Sequence, residues 1–67
     1  MEKLPETLGE ILQKSIQLEK EGYTYYLESS KKISNSVGKR MLERLAQDEK
    51  NHIQRFTEMY IAFTNEN

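Results

Sequence analysis

The strongest constraint on the fold is a single break between two long segments that favour helix. The only proline is Pro5, and turn-forming residues gather at Ser34-Asn35-Ser36, followed by Gly38. Such a cluster ends one periodic segment and starts another. Both flanking segments repeat their apolar residues at helical spacing over far more residues than an ordinary strand contains. The sequence therefore predicts an all-α chain that folds as one antiparallel hairpin of two helices.

Local signals place the ends of these helices. Pro5 suits the first turn of a helix, and Thr7 with Glu10 forms a capping-box pattern, so the first helix starts at one of these two points. Ser36 is the predicted N-cap of the second helix. The chain is then a single half-bundle domain over residues 1–67, with helices over about 5–33 and about 37–63 and a turn over about 34–37.

Both helices carry an apolar stripe with a repeat of about 3.5 residues, which is typical of helical bundles. In the first helix the stripe consists of Leu8, Leu12, Ser15, Glu19, Gly22, Tyr26, Ser29 and Ile33, flanked by Ile11 and Leu18. In the second helix it consists of Leu42, Leu45, Glu49, His52, Phe56, Met59 and Phe63, flanked by Met41, Ile53 and Tyr60. One hairpin cannot cover both stripes, so we expect two hairpins to form a four-helix bundle.

Composition indicates a need for further stabilisation and excludes several functions. A single core in a chain of 67 residues rarely contributes more than about 3–5 kcal/mol, and without cysteine no disulfide adds to it. A formal net charge of −1 does not favour binding to nucleic acid or to an anionic membrane surface. No apolar run approaches the roughly 18 residues of a membrane span, and the N-terminus lacks the apolar core of a signal peptide. We expect a cytoplasmic protein stabilised by a metal or by oligomerisation.

Three ionisable residues interrupt the apolar stripes: Glu19, Glu49 and His52. Burial of an unpaired carboxylate is strongly unfavourable, so these positions predict a compensating partner. Counted from a turn centred near Asn35, the three residues lie at similar distances, about 24 Å along the helices. Glu49 and His52 form a Glu-x-x-His pattern, which places them on adjoining turns of one helix face. The three side chains are therefore predicted to meet at one level of the hairpin.

Carboxylate oxygens and imidazole nitrogens together suit iron or manganese, and zinc also binds them. One hairpin supplies three ligating residues, too few for a pair of octahedral ions. Two symmetric hairpins supply four carboxylates and two imidazoles, which is the ligand set known from ferritin-like di-iron and di-manganese bundles. The alternative without metal places Glu19 and Glu49 at the bundle edge in contact with water, with His52 hydrogen-bonded to one of them.

Two segments carry a family resemblance, residues 18–26 (LEKEGYTYY) and residues 46–52 (AQDEKNH). They resemble the first two helices of rubrerythrins in the ferritin-like superfamily, and the single-hairpin length is similar to that of encapsulated ferritins. The resemblance implies Glu19 as the metal ligand of the first helix, and Glu49 with His52 as the ligands of the second. It matches Tyr26 to an aromatic residue near the metal. Rubrerythrins often hold a further, cysteine-bound iron, for which this chain has no ligands.

The same resemblance implies a function. Two Fe(II) ions would bind at a subunit interface and be oxidised by dioxygen or peroxide, as in a ferroxidase or a peroxidase-type oxidoreductase. It also implies a homodimer or a ring of dimers, a protein shell or an electron donor as a further partner, and a protein compartment as a second expected location. Two other hypotheses are a metal-free hairpin that serves as an oligomerisation or adaptor module, and a hairpin with a purely structural metal clamp.

Gly22 lies on the first stripe, one turn after Glu19. A glycine inside a helix costs about 1 kcal/mol relative to alanine. Two explanations are open: Gly22 leaves room for a metal ion or dioxygen, or it allows the helices to pack closely. The neighbouring Tyr23 and Tyr25 are predicted to be packing residues.

Overall fold

The computed structural model describes residues 7–65, which form two α-helices and no strand. Helix α1 spans Leu8–Lys32 and helix α2 spans Ser36–Asn65. The Gln13 side-chain amide donates to the Tyr60 hydroxyl at 2.7 Å, and Glu19 lies 3.2 Å from His52, so the two helices run antiparallel. Within these residues, neither helix has the length and apolar composition needed to cross a membrane. The predicted all-α hairpin is confirmed for this part of the chain.

Helix α1 begins at the capping box. The Thr7 hydroxyl accepts a hydrogen bond from the Glu10 backbone N–H at 3.1 Å and donates one to the Glu10 carboxylate at 3.2 Å. Thr7 itself has an extended backbone, as an N-cap residue should. The first helical residue is therefore Leu8, and the other predicted starting point, Pro5, lies outside the described residues.

The second helix is capped by Asn35, and the prediction of Ser36 as its N-cap was wrong. The Asn35 side-chain oxygen accepts a hydrogen bond from the Gly38 N–H at 2.8 Å, and Ser36 is already helical. Serine and asparagine are about equally good N-caps, so two adjacent candidates could not be separated by residue type. Helix α2 also continues to Asn65, past the predicted end near Phe63.

Replacing Asn35 by alanine is expected to lower the free energy of unfolding by about 1 kcal/mol, because the Gly38 N–H loses its partner. The matched variant Ser36→Ala is expected to change it little, since alanine is favoured inside a helix. Urea unfolding followed by circular dichroism, at one fixed protein concentration, measures both. Equal losses in the two variants would contradict the assignment of Asn35 as the cap.

The hairpin by itself has a very small core. Among the described residues, Leu12 and Ala46 are the only buried apolar residues. Ser30 is also buried, and its hydroxyl is satisfied by donating to the Leu27 carbonyl at 2.7 Å. Burial on this scale is small for a chain that must offset the conformational entropy lost on folding.

Each predicted stripe divides into an inner row that faces the other helix and an outer row that does not. The outer rows are exposed and consist of Ile11, Leu18 and Tyr25 on α1, and of Leu45, His52 and Met59 on α2. Every outer residue directly precedes a buried or half-buried one. These inner residues are Leu12, Glu19 and Tyr26 on α1, and Ala46, Ile53 and Tyr60 on α2.

The two outer rows lie on the same side of the hairpin. In an α-helix, each residue is rotated about the helix axis by about 100° relative to the residue that follows it. Viewed along the chain direction, the sense of this rotation is the same in both helices. Because α1 and α2 run in opposite directions, this shared rotation turns both rows towards one side, which we call the apolar side. The opposite side carries exposed residues that are mostly charged: Lys20, Lys39, Glu43, Lys50 and Ile61.

Candidate metal centre

Glu19 of α1 meets Glu49 and His52 of α2 at one level of the hairpin. One possible ligand atom from each of the three side chains lies within 4.8 Å of the others. Two ligands of one ion, with bonds of about 2.1 Å, lie at most about 4.2 Å apart. Small side-chain rotations are therefore enough to bring all three atoms to one ion. The sequence predicted this meeting from the count of residues on either side of the turn.

A hydrogen bond joins the two helices within this cluster. His52 Nδ1 lies 3.2 Å from Glu19 Oε2. A carboxylate only accepts hydrogen bonds, so Nδ1 carries the hydrogen and donates it to Glu19, which leaves Nε2 as the ring nitrogen that is not used in this bond. The Glu19 side chain is 24% exposed and that of His52 is 48% exposed. The cluster is therefore open to the apolar side rather than enclosed by the hairpin.

The two carboxyl groups shift each other's pKa in opposite directions. A hydrogen bond with Glu49 lowers the pKa of Glu19 below its ordinary value, and His52 lowers it further, against the opposing effect of burial. The same hydrogen bond raises the pKa of Glu49, and burial and the nearby Glu19 charge add to this effect. Of the two carboxyl groups, Glu49 is thus the one that takes up a proton more readily. A bound cation would compete with protons for these oxygen atoms.

Comparison with known families gives one result over most of the chain. Residues 10–67 match the model of the family described as Rubrerythrin, and this range includes Glu19, Glu49 and His52. The chain belongs to the rubrerythrin family. No curated protein and no solved structure matches it. The resemblance recognised in residues 18–26 and 46–52 is confirmed.

Rubrerythrins typically bind iron, and the side chains of this centre fit that metal. Carboxylate oxygens and an imidazole nitrogen form a donor set that iron accepts. Among the ion pairs of residues 7–65, none joins Glu19 or Glu49 to a lysine or arginine. Within residues 7–65, His52 is therefore the one basic side chain paired with this carboxylate cluster.

The resemblance segment also contains three tyrosines, Tyr23, Tyr25 and Tyr26. Tyr26 is half-buried, and none of the hydrogen bonds within residues 7–65 joins it to Glu19, Glu49 or His52. Its ring meets that of Tyr25 edge to face, with centroids 5.6 Å apart. Tyr23 is half-buried, as expected for a packing residue. Tyr25 is exposed, contrary to the prediction that it packs, because it belongs to the outer row.

The sequence did not predict that the His52 side chain is more exposed than that of Glu49. Both were placed on one stripe, whereas the structure puts Glu49 on the inner side and His52 in the outer row. The missing signal was the residue that follows each candidate. Ile53, directly after His52, faces α1 and thereby turns His52 towards the apolar side.

In the metal-free protein, Glu49 is expected to titrate at a higher pH than Glu19. Replacing Glu19 by alanine removes the group that raises the pKa of Glu49 most, so the Glu49 titration midpoint should fall towards that of an ordinary glutamate. The matched variant Glu21→Ala, which removes an exposed carboxylate on the same helix, should leave that midpoint unchanged. Carbon-13 NMR of the side-chain carboxyl groups over a series of pH values gives the Glu49 titration midpoint in the parent protein and in both variants.

The raised pKa of Glu49 and the lowered pKa of Glu19 make the stability of the hairpin depend on pH in opposite directions. Because the pKa of Glu49 is raised by folding, its contribution to stability is present at low pH and is lost as the pH rises through the folded pKa. Because the pKa of Glu19 is lowered, its contribution is present at higher pH and is lost as the pH falls through the folded pKa. A Glu49 midpoint at or below that of Glu19 would contradict the opposite pKa shifts of the two groups.

Proposed function

We propose that this chain is a di-iron carboxylate protein that binds Fe(II) between two copies of the hairpin and oxidises it with dioxygen or peroxide. The observation that carries the proposal is the cluster of Glu19, Glu49 and His52, whose ligand atoms lie within 4.8 Å of one another. Membership of the rubrerythrin family supports iron as the metal. The absence of a lysine or arginine paired with either carboxylate, within residues 7–65, supports a cation as the partner of the cluster.

The number of ligands and the exposure of His52 support a second copy as the partner. Known di-iron bundles of this type take carboxylates from four helices and an imidazole from each of two. One hairpin has half of that set. Since His52 lies in the outer row, a copy packed on the apolar side would bring its own three ligands next to those of the first. The proposed unit is a homodimer, from which a ring of dimers could also be built.

The distribution of apolar residues supports the same contact. On α1, Leu18 lies at the level of the metal cluster, and Ile11 and Tyr25 lie one heptad before and after it. On α2, Leu45 and Met59 lie one heptad before and after His52. The ligands are thus at the centre of the apolar side and not at its edge. Covering this side removes apolar area from water at about 25 cal/mol per Å² and closes a four-helix bundle.

The chemistry divides between the metal and the chain. Bound iron supplies the electrons, with Fe(II) as the reductant and dioxygen or peroxide as the oxidant. Glu19 and Glu49 would supply oxygen ligands, and because the pKa of Glu49 is raised, metal binding would compete with its protonation. His52 supplies a nitrogen ligand. A peroxidase cycle needs an external electron donor to return Fe(III) to Fe(II), whereas a ferroxidase releases Fe(III), so turnover with and without added reductant distinguishes the two.

Anaerobic addition of Fe(II) is expected to load about one iron per chain, and admission of air should then consume dioxygen and produce the near-ultraviolet absorption of ferric iron. Glu49→Ala and His52→Ala should weaken metal binding by roughly 100-fold or more, because each removes a ligand. The matched control is Glu43→Ala, which removes an exposed carboxylate on the opposite side of the same helix and should bind normally. Native mass spectrometry reports the metal content and the size of the assembly together.

Other outcomes of this experiment identify other functions. Metal that binds without consumption of dioxygen would indicate a structural clamp. A protein that binds no metal, and whose assembly is unchanged in Glu49→Ala and His52→Ala, would be a metal-free oligomerisation or adaptor module. Either result would overturn the proposed iron oxidation.

Two variants of α2 test the apolar side as the dimer surface. Met59 is 53% exposed on the apolar side, and Ile61 is 52% exposed on the opposite side. Met59→Glu would bury a carboxylate in the proposed contact and is expected to weaken dimerisation by roughly 100-fold or more. Ile61→Glu should leave dimerisation unchanged. Sedimentation analysis over a range of concentrations measures both, and equal behaviour of the two variants would contradict the proposed surface.

A further inference from the structure

Gly22 lies directly against the carboxyl group of Glu49. A Cβ atom placed on Gly22 would be 3.1 Å from Glu49 Oε2, 3.3 Å from Glu49 Cδ and 3.6 Å from Glu49 Cγ. The first two distances are shorter than ordinary van der Waals contact. The space that a side chain at position 22 would need is therefore already occupied by a metal-ligand candidate of the other helix.

The backbone does not require a glycine at this position. Within residues 7–65, no glycine has a positive φ angle, so Gly22 has ordinary helical geometry that alanine also adopts. Close approach of the two helix backbones does not explain it either, because the three nearest atoms all belong to the Glu49 side chain. Of the two explanations that the sequence left open, room beside the metal cluster agrees with these contacts, and the occupant of that room is the Glu49 carboxyl group.

We infer that Gly22 is a positioning residue, which sets where the Glu49 carboxylate stands and so allows it to act with Glu19 and His52 on one metal ion. This inference rests on the proposed metal site. A methyl group at position 22 would displace the carboxylate by a few tenths of an ångström or turn it into another rotamer. Ligand distances at metal sites tolerate only about 0.2 Å, so a displacement of this size weakens binding. Gly22 therefore acts on the metal through Glu49, without touching the metal itself.

The variant Gly22→Ala separates this role from a merely structural one, because the two expected effects have opposite signs. Alanine is the better helix former, so the midpoint of thermal unfolding of the metal-free variant should rise by about 4 °C or more. The affinity for Zn(II), used as a probe without redox chemistry and measured by calorimetry, should fall by about tenfold. The matched control is Ser29→Ala, one heptad further along the same face, which should leave the Zn(II) affinity unchanged.

A double-mutant cycle shows whether the effect passes through Glu49. In the Glu49→Gln background, whose Zn(II) binding is already weak, Gly22→Ala should cost little further affinity, since no carboxylate is left to displace. Equal tenfold losses in both backgrounds would overturn the inference. An unchanged Zn(II) affinity of Gly22→Ala would also overturn it. A loss of helix content in Gly22→Ala would do the same, because the added methyl group would then disturb helix packing instead of the Glu49 carboxylate.

The same measurements keep this inference apart from the proposed function. If the parent protein binds neither Zn(II) nor Fe(II), the metal site itself is wrong and the role of Gly22 is wrong with it. If the parent binds metal normally and Gly22→Ala binds it equally well, the metal site stands and only the role of Gly22 is refuted.

Discussion

The structure depends on three ionisable side chains placed where two helices meet. A hairpin with so little buried apolar surface gives up part of its contact area to Glu19 and Glu49. His52 donates a hydrogen bond to Glu19, and the two carboxyl groups shift each other's pKa in opposite directions. Glu19 therefore interacts with both other members of the cluster. A cation bound between the three side chains would offset the cost of placing two carboxyl groups together.

The second organising feature is the difference between the two sides of the hairpin. One side carries exposed charged residues such as Lys20 and Lys50, while the outer rows expose large apolar side chains on the other side. His52 belongs to both the metal cluster and the apolar side. Assembly and metal binding are thereby proposed to use one surface. A symmetric contact of this kind uses the same patch on both partners and closes at two copies.

Much of this could be predicted from the sequence. The heptad period and the single break at residues 34–36 predicted the hairpin, and counting from the turn brought Glu19, Glu49 and His52 to one level. The division of each stripe into two rows could not be predicted, because neighbouring positions on a helix differ by a rotation that a stripe of about 100° cannot resolve. Leu45 and Met59 were for this reason grouped with residues that face α1. The choice between Asn35 and Ser36 failed for a local reason, since both residue types make good caps.

The exposure of His52 has a consequence for when the centre is filled. In the proposed dimer the ligands are divided between two chains, so the complete site exists only in the associated protein. Dimer concentration in dilute solution rises with the square of the chain concentration, so the amount of metal held should rise more steeply than the amount of protein. Metal, by binding the pair and not the separate chains, would in turn favour association of the chains. The concentration of the protein would thus help to set how much iron is bound and how much stays in solution.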